Sequence, residues 1–218
     1  MTRLFIATRN THKINEIRAI LGDSFEILSQ RDITNTLEII EDGDTFEANA
    51  KKKSEGLALW LVKAGHDIAY VLADDSGLEV DALNGAPGVY SARFATLDTG
   101  KAGNSPDASN NEKLLICLKD IPLEKRTARF HCVIALTRMV KNNGSILLET
   151  TTFDGRCEGC IGFAVKGNHG FGYDPLFTPN GFNQTFAELG ESTKNQISHR
   201  SKALSQVKQF LNLRTLII

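Results

Sequence analysis

The chain has 218 residues, 23% of them charged and 41% hydrophobic, with a formal charge of −1. That length suits one domain with room for two lobes and a sizeable core. The balanced charge excludes the basic footprint of a nucleic-acid-binding protein and an acidic tail, while a small anion stays open as a ligand. No apolar run approaches membrane-spanning length, and the few apolar residues of Met1–Ala7 before Thr8-Arg9-Asn10 are too short for a secretion signal, so no membrane partner and a cytoplasmic protein are expected. Cys117, Cys132, Cys157 and Cys160 fit free thiols in a reducing compartment. Cys157-Glu158-Gly159-Cys160 has C-x-x-C spacing but neither a second pair nor more than the lone His169 nearby, and reads as two incidental thiols in a Gly-rich turn.

In chain order, Arg3–Ala7 reads as a first strand and Ile14, Ile17, Ile20 and Leu21 as one face of a helix stopped at Gly22, with Asn10 or Thr11 as cap. Lys13 then falls in a first helical turn, where the macrodipole disfavours a cation; either it is a solvated surface lysine or it shares an anion with the helix start. Phe25–Ser29 is a second strand. Glu41-Asp42-Gly43-Asp44 is an acidic turn, and Asp44 with Glu47 resembles a capping box that starts a helix at Thr45. Its apolar stripe is Phe46, Ala50, Leu57 and Leu61, and Lys53 lies on that stripe, so it either snorkels or meets an anion.

Ile68–Ala73 reads as a central strand that stops at Asp74 and Asp75 with a turn at Ser76-Gly77, the strand end at which open α/β sheets bind ligands. Leu78 and Val80 alternating with Glu79 and Asp81 suggest a second, half-buried strand. Four carboxylates would then crowd one edge, either as solvated loop residues or relieved by protonation, basic neighbours or a hard cation. Asn84–Arg93, rich in Gly and Pro, reads as a loop over the sheet edge, and Thr99–Asn111 as a connection. A helix is expected over Glu112–Lys119, then two long strands over Thr127–Arg138 and Ser145–Thr152, joined by Lys141-Asn142-Asn143-Gly144. Gly170–Pro175 sets two aromatics and a carboxylate on a glycine-loosened backbone, fit either to stack a flat ring or to form a core turn. Ser198-His199-Arg200 opens a last helix faced by Ala203, Leu204, Val207 and Leu211, again with cations in its first turn. Neither a Walker nor a Rossmann glycine loop is present.

Acids at a strand, cations at helix starts and an aromatic turn form an inventory for a nucleoside triphosphate with a divalent cation. Six segments occur in order: Ala7-Thr8-x-Asn10-x-x-Lys13, Thr45-Phe46-Glu47-x-Asn49-Ala50-x-x-Lys53, Ala73-Asp74-Asp75-Ser76-Gly77-Leu78, Gly85-Ala86-Pro87-Gly88-x-Tyr90-Ser91-Ala92-Arg93, Gly170-Phe171-Gly172-Tyr173-Asp174-Pro175 and Ser198-His199-Arg200. From near residue 3 to about residue 210 this closely resembles the inosine/xanthosine triphosphate pyrophosphatase family. The resemblance implies hydrolysis of ITP, dITP and XTP to the monophosphate and pyrophosphate by a Mg2+-dependent homodimer. It also implies an α/β fold, an elongated mixed sheet flanked by helices, with residues 1–218 as one domain of two lobes and the active site in the cleft between them.

By matching motif, Thr8, Arg9, Asn10, Thr11, His12, Lys13 and Lys53 would hold phosphates, and Glu41 and Asp75 would serve the metal. Asp75 would also take the proton from the attacking water. Ser76, Phe171, Gly172, Tyr173, Asp174, Lys194, His199 and Arg200 would line the nucleoside and base pocket, where N–H donors suit a 6-oxopurine and oppose adenine's amino group. Arg9 departs from the family's usual Gly or Asn, and either adds a phosphate contact or points to solvent. Two alternatives are a pyrophosphatase acting on dTTP or UTP, which would lack Ser198-His199-Arg200 beside Phe171–Asp174, and a non-catalytic nucleotide binder, against which the intact Asp74, Asp75 and Lys13 argue.

Overall fold

The structure, a computed structural model, describes residues 2–99, 103–142 and 145–215, so the turn expected at Asn143-Gly144 lies outside the described residues. In chain order the elements are β1 (Thr2–Ile6), α1 (Thr11–Leu21), β2 (Phe25–Ser29), α2 (Phe46–Lys63), β3 (Tyr70–Val80), α3 (Asp107–Cys117), β4 (Thr127–Asn142), β5 (Ser145–Ile161), β6 (Phe177–Pro179), α4 (Phe186–Ile197) and α5 (His199–Thr215). The strands form one six-stranded sheet in the order β2-β1-β3-β4-β5-β6. β1 runs parallel to β2 and β3, whereas β5 and β6 are antiparallel, so the sheet is mixed as expected.

The chain divides into two compact units, Met1–Asp75 with Cys132–Asp154 and Arg200–Ile218, and Ser76–His131 with Gly155–His199. In the first unit, alternate residues of β1 and β3 enter two separate cores. Leu4, Ile6 and Leu72 pack with Ile17 and Leu21 of α1 and with Leu204 and Val207 of α5. Phe5, Ala7, Val71 and Ala73 pack instead with Leu57 and Leu61 of α2. A strand covered on both faces reads as a continuous apolar run, which is why Val71-Leu72-Ala73 shows no alternation in sequence. In the second unit, Leu78, Val80, Phe130, Ile161 and Phe177 meet Leu114 of α3, Leu118 just after it and Phe186 of α4.

Four expectations are corrected. β3 does not stop at Asp74: it runs unbroken from Tyr70 through Asp74-Asp75-Ser76-Gly77 to Val80, so the two acids lie inside a strand. α3 starts at Asp107, five residues before Glu112, and ends at Cys117. α4 was not foreseen, although Thr185 and Glu188 form a complete capping box at its start. Cys157 and Cys160 sit in β5 rather than in a turn, and three residues apart on a strand they face opposite sides of the sheet.

Candidate active site

Successive residues of a strand point to opposite faces, so adjacent aspartates of β3 meet different helices. Asp74 follows Leu72 toward α1 and α5. There Lys13 Nζ lies 2.5 Å from its Oδ1, Arg200 Nε 2.8 Å from its Oδ2, and the Cys132 thiol donates to Oδ2 at 3.1 Å. Arg200, 1% exposed, also gives Nη1 to Glu16 of α1 at 2.5 Å. Two carboxylates thus balance two cations. Burial alone would raise the Asp74 carboxyl, but Arg200 and then Lys13 hold it well below the usual carboxylate range.

Asp75 follows Val71 and Ala73 toward α2. It is 8% exposed, and its Oδ2 has no hydrogen-bond partner. Burial pushes this carboxyl up from an ordinary 3.8 to about 6, against the pull of Lys53 and Lys13 and of a hydrogen bond from Asn49, and the nearby charge of Glu41 pushes the same way as burial. Lys53 is buried and pairs with Glu41 at 3.0 Å.

Glu41 arrives on a segment without regular secondary structure that lies antiparallel along α2. Ile39 packs against Gly56, where an added Cβ would come 2.7 Å from Ile39 Cδ1. Glu41 then meets Lys53, Asp42 meets Lys52 at 2.5 Å, and Gly43 meets Asn49. The expected crowding of four carboxylates on one edge does not occur: Glu79 and Asp81 lie in the second unit, on Arg129, with Asp81 at 2.8 Å.

The segment before α1 is committed to local contacts. Asn10 caps the helix by accepting from Lys13 N at 3.1 Å, and Thr8 Oγ1 accepts from Asn10 N. Thr11 Oγ1 accepts from Arg31, and His12 is exposed in the first turn. The guanidinium of Arg9 neither points to solvent alone nor meets an acid: Nη2 donates to Thr36 O at 3.1 Å and to Thr36 Oγ1 at 3.0 Å, anchoring the start of the segment that carries Glu41.

In the second unit, the turn Gly170–Pro175 is fixed from two sides. Asp174 accepts from Phe171 N at 2.9 Å and is ion-paired to the buried Lys194 at 2.6 Å, whose ammonium also stands 4.4 Å from the Phe171 ring centroid. Asp107 accepts from Gly172 N at 2.7 Å, and Asn111, one turn on along α3, donates to Gly172 O at 3.0 Å. Of the two aromatics, only Phe171 is partly exposed. Tyr173 is a core residue whose hydroxyl donates to Ser91 O at 2.9 Å, and burial pushes its phenol up. His199 stacks on Phe130 with ring centroids 4.8 Å apart, and Ser76 is half-buried on β3.

The structure therefore joins Asp75, Lys53 and Glu41 on one face of the first unit, and Lys13 with Arg200 on the other. In the second unit it joins Phe171, Asp174 and Lys194. Sequence reasoning gave no role to Asn49, Glu16, Asp107 or Asn111. Asparagine is a weak helix former, so Asn49, which stands in one of the six motif segments, was visible as a helical asparagine that calls for a partner, and Asn111 is another.

The fold is a mixed α/β sheet whose strand β3 carries two buried aspartates that face lysines of α1 and α2. The profile of the Ham1 family matches residues 4–210, and the chain belongs to the Ham1 family. The dITP/XTP pyrophosphatase of Exiguobacterium sibiricum is 48% identical over 210 residues, 96% of each chain. That of Shouchella clausii is 46% identical over 209 residues, again 96% of each. Among solved structures, the Ham1 protein of Staphylococcus aureus matches with a TM-score of 0.78 at 37% identity, covering 98% of this chain and 100% of that one.

Proposed function

We propose that this protein hydrolyses the triphosphates of deaminated purines, ITP, dITP and XTP, to the monophosphate and pyrophosphate, with water attacking the α-phosphate. Relatives named dITP/XTP pyrophosphatase, 46–48% identical over nearly the whole chain, support the reaction. The observation that carries it is Asp75, a buried carboxylate with an unpartnered oxygen beside a buried lysine.

The donor set fits Mg2+. Asp75 and Glu41 offer hard oxygens, and the unpartnered Oδ2 is the kind of atom a cation satisfies. Among the described residues no group of three or more His, Cys, Asp or Glu converges. That agrees with magnesium, which takes one or two carboxylates and completes its shell with water and phosphate oxygens. When bound, Mg2+ would polarise the α-phosphate and offset its developing charge. Asp75 accepts the proton of the attacking water; burial raises its proton affinity to about 6 without a metal, and a bound cation would draw it down again and keep it ionised at neutral pH.

Lys53 and the Thr8–Lys13 loop at the start of α1 take the phosphates, where backbone N–H groups and lysines suit an anion. Phe171, Lys194, His199, Ser76 and the peptide groups of Gly172–Asp174 take the base. Arg200 supports the site by holding Asp74, since its Nε, Nη1 and Nη2 are engaged there and on Glu16. Residues 1–218 act as one enzyme domain, as a homodimer, in the cytoplasm; among the described residues no helix is long and apolar enough to cross a membrane.

The test is pyrophosphate release from ITP, dITP, XTP, ATP, GTP, dTTP and UTP, with and without Mg2+. The deaminated purines should lead, chelation should stop turnover, and Asp75→Asn should lower the rate by about 10²–10⁴-fold. A pyrimidine preference, or full activity without a divalent cation, would overturn the reading.

A further inference from the structure

Asn49 is 1% exposed in α2, and its side chain holds a single residue by both backbone groups: Oδ1 accepts from Gly43 N at 2.8 Å and Nδ2 donates to Gly43 O at 3.3 Å. That pairing fixes which end of the carboxamide is oxygen, because only nitrogen can face a carbonyl. The same carboxamide lies beside Asp75, where it lowers that carboxyl's affinity for a proton. One carboxamide on α2, the helix facing Asp75, therefore fixes the backbone two residues after Glu41. The contact is close, since a Cβ added at Gly43 would come 2.8 Å from Asn49 Oδ1 and 3.0 Å from Ala48 Cβ. Elsewhere along the segment, Arg9 on Thr36 and Ile39 against Gly56 fix its course.

We propose that Asn49 is a positioning residue: by clamping Gly43 from α2, it holds Glu41 where its carboxylate can meet a cation together with that of Asp75, and thereby sets the affinity of the site for a divalent cation. This rests on the assignment of Asp75 and Glu41 as cation ligands. The two carboxylates come from elements with no shared backbone hydrogen bonding, and Lys53 competes for Glu41 by its 3.0 Å ion pair. Without the clamp, the irregular segment would let Glu41 follow the lysine instead of the cation. Groups that orient metal ligands typically change metal affinity by about 10–100-fold when removed.

Binding of Mn2+ alone is measured on the nucleotide-free full chain by the loss of the free-ion electron paramagnetic resonance signal, for wild type, Asn49→Ser, Gly43→Ala, the double variant, Asp75→Asn and Glu41→Gln, with thermal unfolding in parallel. Asn49→Ser and Gly43→Ala should each weaken Mn2+ binding about 10–100-fold, and the double variant no more than the worse single one, because both break the same contact. Turnover by Asn49→Ser should recover toward wild type at saturating Mn2+. Should Asn49→Ser not fold, Gly43→Ala carries the test, since it leaves α2 and Asn49 intact. A lower unfolding midpoint with an unchanged Mn2+ constant in both variants, while Asp75→Asn and Glu41→Gln lose the ion, overturns the positioning role and leaves the cation site standing. Wild-type Mn2+ affinity in Asp75→Asn and Glu41→Gln overturns the cation site and the positioning role together.

Discussion

Asp74 and Asp75 are chemically identical neighbours with opposite effects on stability. The folded-state affinity of Asp74 for a proton is depressed, so it stabilises the fold above the unfolded value of 3.8, and that contribution is lost as pH falls through its low folded value. Asp75 is raised to about 6, so the folded state prefers it protonated; the cost is absent below 3.8 and complete above 6. A difference of about 2 pH units at about 1.4 kcal/mol each is ~3 kcal/mol. With a chelator present, Asp75→Asn should therefore be the more stable protein at pH 7.5, by up to ~3 kcal/mol, and match wild type near pH 4. Asp74→Asn should lose about 3–5 kcal/mol at pH 7.5, because the buried Arg200 and Lys13 lose the carboxylate they share. Denaturant unfolding at the two pH values decides both. The aspartates themselves were legible in the sequence as the centre of the site. Their division of labour was not, because it depends on Lys13 and Arg200, which lie 61 and 126 residues away in the chain.

Elements were legible where local chemistry agreed with tertiary packing. β1, the Asn10 cap of α1, β2 and the stripe of α2 all follow from pattern, with the cap of α2 at Thr45 rather than Asp44. Reading failed where distant partners overrode propensity. Asp-Asp-Ser-Gly has the composition of a turn, yet β3 continues through it because helices on both faces supply cations. The polar start of α3, Asp107–Asn111, looked like a connection, and its helical state is secured by contacts that include Gly172. In α4 the helical pattern is interrupted by Gly190 at φ +77°.

The same scale yields a test on the aromatic turn. Gly170 and Gly172 both have positive φ, but a Cβ at Gly170 would fall 2.1 Å from Asp174 Oδ2, whereas nothing lies within 4 Å at Gly172. Gly172→Ala should cost only about 1 kcal/mol of backbone strain. Gly170→Ala must also displace the buried partner of Lys194, and should raise KM for ITP well beyond any effect of Gly172→Ala. Equal KM values for the two variants would show that the Asp174 pairing does not shape the base site.

At the scale of the whole molecule, neither compact unit is a contiguous stretch of chain: the path passes from one to the other at Asp75-Ser76, His131-Cys132, Asp154-Gly155 and His199-Arg200. The first unit needs α5 to cover Leu4, Ile6 and Leu72, and residues of β4 to complete that core. Fragments 1–131 and 132–218 should each lack cooperative unfolding in circular dichroism, and mixing them should restore it if the cores reassemble. A cooperative transition in fragment 1–131 alone would show that α1 and α2 suffice to stabilise β1 and β3.

The unbroken course of β3 also constrains how its length can change. Its register against β1 is set upstream, with Leu4, Phe5 and Ile6 opposite Tyr70, Val71 and Leu72. A one-residue slip exchanges the two faces of a strand. Deleting Ala73 would keep an aspartate before Arg200 and Lys13 but bring Ser76 to the place of Asp75 and Asp74 into the apolar place of Ala73, so the base would be lost and a carboxylate buried against Leu57 and Leu61. Inserting one residue at the same point would carry Asp74 into the place of Asp75, keeping a carboxylate beside Lys53 and emptying the cluster. Because the acids are adjacent and alike, the frame in which the strand is read decides which of them is lost.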